Sequence, residues 1–155
     1  MKENPMGEDL NELYQEVILD HSKNPRNFLP LGDANRMAQG RNPVCGDQVT
    51  IFMHVEDGVI KNITFQGSGC AISKAAASLM TSSLKGKTIA EAKILFEKVH
   101  EIVTTGEGNL DEVGKLAAFA GVHKFPARVK CAMLPWRAAA AAMDQQENKD
   151  NVTTE

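Results

Sequence analysis

Gln48-Val49-Thr50-Ile51-Phe52-Met53-His54-Val55-Glu56-Asp57-Gly58-Val59-Ile60-Lys61-Asn62-Ile63-Thr64-Phe65-Gln66 is the stretch that decides the fold. Val49, Ile51, Met53 and Val55 alternate with Thr50, Phe52 and His54, and a period of two is the mark of a strand with one buried face. Asp57-Gly58 then supplies a two-residue turn, because glycine takes the positive φ that a tight hairpin demands. Val59 to Gln66 returns as the partner strand, with Ile63 and Phe65 on one side. A third strand is expected before this hairpin, around Asn35 to Arg41.

The pattern changes on both sides of the hairpin. Upstream, Leu10, Leu13, Tyr14, Val17, Ile18 and His21 recur at helical spacing within Glu8 to Lys23, giving one apolar stripe that Asn24-Pro25 ends. Downstream, Gly67-Ser68-Gly69-Cys70 feeds an alanine-rich helix over Ala71 to Leu84, stopped by Gly86. Thr88 and Glu91 form a capping box that opens another helix through Ile89, Ala92, Leu95, Phe96, Val99 and Ile102. Gly106 to Asn109 breaks it, and a shorter apolar segment runs from Leu110 to Val122. The last helix reaches about Met143 and contains Pro135, which is harmless only in a first turn. A regular helix is therefore expected to begin near Ala132, or the chain to kink beside Cys131.

Size and composition set the class. The chain has 155 residues, 43% of them hydrophobic and 24% charged, which is ordinary for a globular domain able to fold on hydrophobic burial. One domain over residues 1–155 is expected, with an ordered core of about 8–143 and a polar tail, 144–155, without fixed structure. Seventeen basic against twenty acidic residues give a net charge of -3, and the electrostatic footprint of a nucleic-acid binder is missing. Neither a membrane span nor a secretory signal is legible, so a cytoplasmic location is expected.

Three cysteines are an odd number, which argues against a disulfide framework and for metal or redox chemistry in a reducing compartment. Any one of them alone is as often a small core residue as a ligand. Their settings favour ligation: Cys45 lies in a loop before a strand, while Cys70 and Cys131 lie at or near helix starts, where free N–H groups favour a thiolate. Asp47, two residues after Cys45 across Gly46, can turn a carboxylate toward the same point. Four such anions gather only around a cation, and a sulfur-rich tetrahedral set selects zinc or iron-sulfur iron. The four histidines read differently. His21, His54 and His100 fall on helix or strand faces, and His123 only approaches a motif.

Three ordered blocks carry a resemblance that covers nearly the whole chain: Asn42-Pro43-Val44-Cys45-Gly46-Asp47, Gly67-Ser68-Gly69-Cys70-Ala71-Ile72-Ser73, and Lys124-Phe125-Pro126-Ala127-Arg128-Val129-Lys130-Cys131-Ala132-Met133-Leu134. The chain resembles the U-type iron-sulfur cluster assembly family of IscU and NifU N-terminal domains, in particular its SufU branch of zinc-dependent sulfurtransferases. Lys130 stands where IscU has a histidine before its last cysteine, and an insertion of roughly twenty residues around Thr105 to Lys124 also favours the SufU branch. Pro135 fits neither pattern.

The resemblance implies an α+β fold, a small three-stranded antiparallel sheet packed by helices on one side, with the metal site at an exposed end. It implies zinc on Cys45, Asp47, Cys70 and Cys131. It also implies a pyridoxal phosphate cysteine desulfurase of the SufS type that delivers persulfide sulfur, and a downstream cluster assembly complex that receives it. Cys45, in a loop with Asn42, Pro43 and Gly46 able to swing, is the expected persulfide acceptor. Arg128 and Lys130 are expected to support the anionic site or meet the incoming persulfide. The alternatives are an IscU-type scaffold that assembles a [2Fe-2S] cluster, holding iron instead of zinc, and a zinc-stabilised interaction module without chemistry.

Overall fold

A computed structural model describes residues 5–44, 46–145 and 149–153. Helix α1 (Pro5–Lys23) leads through an irregular segment to β1 (Arg36–Asn42), β2 (Asp47–Glu56) and β3 (Val59–Ser68). Helices α2 (Ala71–Leu84) and α3 (Ile89–Thr105) follow, then 3-10 turns at Leu110–Glu112 and Gly114–Lys124, helix α4 (Pro126–Asp144) and strand β4 (Lys149–Thr153). The three expected strands form an antiparallel sheet with β2 in the middle, and the hairpin turns at Asp57 and Gly58, both with positive φ. Two central residues of that kind match the right-handed twist of the flanking strands.

Strand alternation decides what reaches the core. On β2, Asp47, Val49, Ile51, Met53 and Val55 are buried, and on β1 the buried set is Ala38, Gly40 and Asn42. Helices α2 and α4 cover this face, with Met80, Leu84, Met133, Leu134 and Trp136 among the most buried side chains. Each such side chain contributes about 1.5–3 kcal/mol by leaving water. Phe96 of α3 meets the Trp136 ring edge-on at 6.3 Å, which ties α3 to α4. Thr88 and Glu91 form the expected capping box, and Gly106 closes α3 in the left-handed conformation.

The structure departs from the sequence reading in two places. The last helix starts at Pro126, more than a turn before Cys131, and continues through buried Pro135 to Asp144, so neither a start near Ala132 nor Cys131 at the helix entry holds. Pro126 occupies the first turn, where a missing N–H costs nothing. The packed alanines beyond Pro135 hold the helix together despite the hydrogen bond that proline removes.

Residues beyond Asp144, read as an unstructured tail, include β4, which runs parallel to β1 as a fourth strand. Gln145 fixes that return: its Nε2 donates to the Met37 carbonyl at 2.5 Å and its Oε1 accepts the Met37 N–H at 3.1 Å. An unpaired β1 edge needs partners for its backbone groups, and a polar segment supplies them as well as an apolar one. No helix among the described residues is long and apolar enough to cross a membrane.

Candidate metal centre

The carboxylate of Asp47 is the first buried rung of β2, and Asp47 is 0% exposed. A carboxylate placed there needs donors. Its Oδ1 accepts the Cys70 N–H at 2.8 Å, and its Oδ2 lies 3.6 Å from the Cys70 sulfur. This approach depends on Gly69, whose φ is +152° and whose missing Cβ would fall on the Asp47 side chain, 2.9 Å from Cγ and 3.1 Å from Cα. The glycine reads in sequence only as part of a flexible connection. Its use is close approach of backbone to carboxylate.

Cys70 is the N-cap of α2, and its Sγ accepts the Ser73 N–H at 3.4 Å. The sulfur thus caps one of the free N–H groups of the helix start. Cys131 comes from α4, is 3% exposed, and completes a group in which the donor atoms of Asp47, Cys70 and Cys131 all lie within 4.8 Å of one another. Three segments far apart in sequence thus converge. Cys45 lies outside the described residues. The chain places it between Val44 and Gly46 in the short β1–β2 loop that ends at Asp47, and Val44 is 76% exposed.

The donor set fits zinc. Four tetrahedral bonds of about 2.0–2.3 Å hold their donors about 3.3–3.8 Å apart, a spacing that Asp47 Oδ2 and Cys70 Sγ already have at 3.6 Å. Two soft sulfurs and one carboxylate, all able to ionise, are the chemistry that such an ion selects. The same set also suits iron-sulfur iron.

A groove of about 770 Å³ opens beside the cysteines, lined by Tyr14, Ile18, Cys70, Val122, Arg128 and Cys131 among others. The Arg128 guanidinium lies 4.7 Å over the exposed Phe125 ring, which keeps a cation at this groove, whereas Lys130 does not line it. The four histidines stay out of the donor group. His21 Nδ1 meets Ser78 Oγ at 2.7 Å, His54 Nδ1 meets the Asp33 carbonyl at 2.8 Å, and His123 Nδ1 meets the Ala120 carbonyl at 2.7 Å. His100 stacks on Phe96 with ring centroids 6.2 Å apart.

Known proteins share this architecture. The chain is 39% identical over 141 residues to a zinc-dependent sulfurtransferase SufU of Bacillus subtilis, covering 90% of this chain and 95% of that one. It is 38% identical over 145 residues to an iron-sulfur cluster assembly scaffold protein IscU of Streptococcus pyogenes, covering 93% and 91%. Among solved structures, a candidate iron-sulfur cluster assembly scaffold protein for the SUF system from Fervidobacterium islandicum superposes with a TM-score of 0.80 at 31% identity, covering 86% of this chain and 98% of that one. Residues 13–149 match the NifU-like N terminal domain, and the chain belongs to that family.

Proposed function

We propose that this protein serves iron-sulfur cluster biogenesis as a zinc-bound sulfur carrier, with Cys45, Asp47, Cys70 and Cys131 as the ligands and Cys45 as the persulfide acceptor. The observation that carries the reading is the convergence of Asp47, Cys70 and Cys131 within 4.8 Å at the end of β2, two residues from Cys45. Likeness to the Bacillus subtilis protein supports zinc and sulfur transfer as the working chemistry.

Bound zinc supplies charge neutralisation that keeps the cysteines deprotonated at neutral pH, where free cysteine is mostly protonated. The remaining work falls to the chain. Asp47 is held on the Cys70 N–H and Cys70 on the Ser73 N–H, so these two ligands are fixed by backbone. Cys45 falls in sequence between β1 and β2, and in this reading it is the member that leaves its partners. Its thiolate attacks the outer sulfur of a persulfide on a pyridoxal phosphate cysteine desulfurase of the SufS type. The bond between the donor's two sulfurs breaks and a new one forms on Cys45. The donor cysteine departs as a thiolate and takes up the persulfide proton, and no net oxidation occurs. Arg128 at the groove offers a cation to the incoming anion, and Lys130 adds positive charge next to Cys131 on α4. The carried sulfur then passes to a cluster assembly complex, in the cytoplasm.

Mixing the zinc-loaded protein with desulfurase and cysteine, followed by mass spectrometry, tests this directly. The added sulfur is expected on Cys45, and Cys45→Ser is expected to abolish uptake; sulfur mainly on Cys70 or Cys131 defeats the assignment. The relatives described as scaffolds support a second reading, in which a [2Fe-2S] cluster is the cargo. Brown anaerobic protein that passes its cluster to an apo acceptor, with no sulfur uptake by the zinc form, favours that reading. Unimpaired partner activity with folded, zinc-loaded Cys45→Ser protein favours an interaction module without chemistry.

A further inference from the structure

Cys70 and Cys131 stand in opposite relations to solvent. Cys70 is exposed at the start of α2, whereas Cys131 is 3% exposed within α4. Their sulfurs nevertheless lie within 4.8 Å of each other, and both residues border the groove of about 770 Å³. A disulfide holds its sulfurs about 2.05 Å apart, so a closure of about 2.7 Å or less separates these two from a covalent bond. Rotation of a cysteine from one staggered χ1 well to the next carries its sulfur about that far. Little opposes such a turn at Cys70. The contacts that hold its sulfur are long ones, 3.4 Å from the Ser73 N–H and 3.6 Å from Asp47 Oδ2.

An exposed thiol with a buried one in reach is the arrangement of an oxidant-sensitive pair, in which one sulfur meets the oxidant and the other resolves the product. We infer that Cys70 and Cys131 form a reversible oxidation site for hydrogen peroxide, Cys70 reacting first and Cys131 closing the disulfide. In the first step the Cys70 sulfur attacks one peroxide oxygen. The O–O bond breaks, the thiol proton leaves with the departing oxygen as water, and Cys70 becomes a sulfenic acid. The Cys131 sulfur then attacks the Cys70 sulfur, the S–O bond breaks, and a second water departs. Two thiols are oxidised and one peroxide is reduced. The disulfide removes two of the donors that the carrier reading above assigns to zinc, so oxidation empties the centre and a dithiol reductant restores it. This control of sulfur uptake rests on that reading, whereas the disulfide itself does not.

Peroxide treatment of the zinc-loaded full-length protein, alkylation of the remaining thiols and peptide mass spectrometry test the inference. The expected product is lighter by about 2 Da, carries a Cys70–Cys131 linked peptide, keeps Cys45 open to alkylation, and has released its zinc to a colorimetric chelator. Dithiothreitol should return all three thiols and zinc binding. The same linkage is expected in Cys45→Ser protein. In Cys131→Ser, or Cys131→Ala if the serine variant does not fold, the reaction should stop at a Cys70 sulfenic acid that dimedone traps. Cys70→Ser should slow zinc release by peroxide about tenfold or more, because the sulfur left at that end of the pair is buried. Linkage chiefly through Cys45, or sulfinic acid on Cys70 with no disulfide in the wild-type chain, would overturn the inference. Reduced, zinc-loaded protein that takes no sulfur from a desulfurase would instead remove the carrier reading and leave the disulfide result standing.

Discussion

Replacing Gly69 with alanine perturbs the candidate centre without touching a ligand. The new methyl would overlap Asp47 Oδ1 and lie 2.9 Å from its Cγ, at a φ of +152° that L residues rarely adopt. Either the backbone bends or the carboxylate leaves the Cys70 N–H, now accepted at 2.8 Å. Backbone strain of this kind costs about 1–3 kcal/mol. A lost hydrogen bond to a charged group costs about 1.5–3 kcal/mol. The two together predict a loss of about 2.5–6 kcal/mol, a large share of the roughly 5–15 kcal/mol that holds a domain folded. Urea unfolding of the metal-free protein reads that loss, and chelator competition reads the accompanying fall in zinc affinity. Gly32→Ala is the control, since nothing lies within 4 Å of its added Cβ. Gly69→Ala protein within about 0.5 kcal/mol of wild type and with the same zinc affinity would refute the close-approach argument.

Two further outcomes follow from the fold. Burial, with Arg26 nearby, holds His21 below the ordinary imidazole range. Ser78 Oγ accepts the Arg26 N–H at 2.8 Å and lies 2.7 Å from His21 Nδ1, so the ring nitrogen is already in a hydrogen bond in the buried site. Unfolded chains protonate this histidine below about pH 6.5 while the folded chain resists, so the unfolded state binds more protons and stability falls as pH drops through that value. Urea midpoints at pH 7.5 and 5.5 should therefore differ less in His21→Gln than in wild type; an equal difference in both assigns the acid sensitivity elsewhere. Gln145→Ala should cost about 1–3 kcal/mol by orphaning the Met37 backbone. Hydrogen exchange should accelerate along both β1 and β4; protection unchanged in both strands would show that Gln145 does not fix the return.

The hairpin is readable because Val49, Ile51, Met53 and Val55 keep a period of two, with Phe52 the one apolar residue between them, and Asp57-Gly58 admits few conformations. The capping box at Thr88 and Glu91 was readable because it is local. The spacing of Asp47 to Cys45 marks it as a candidate ligand, but its burial comes from the sheet, which assigns faces by register and not by polarity. Strand β4 was invisible because Lys149 to Thr153 are mostly polar, and only the open β1 edge and Gln145 give them a place. The helical run through Pro135 is hidden from the sequence for a similar reason: packing of Trp136, Ala138 and Ala139 outweighs a local rule. Gly69 reads as flexibility until the Asp47 carboxylate is seen against it.

X-ray absorption at the zinc edge of the loaded full-length protein tests the shared metal centre most directly. Three sulfur neighbours at about 2.3 Å and one oxygen at about 2.0 Å are expected, with one sulfur lost in each of Cys45→Ser, Cys70→Ser and Cys131→Ser. A shell of nitrogen and oxygen alone, or one unchanged by all three substitutions, would contradict the account.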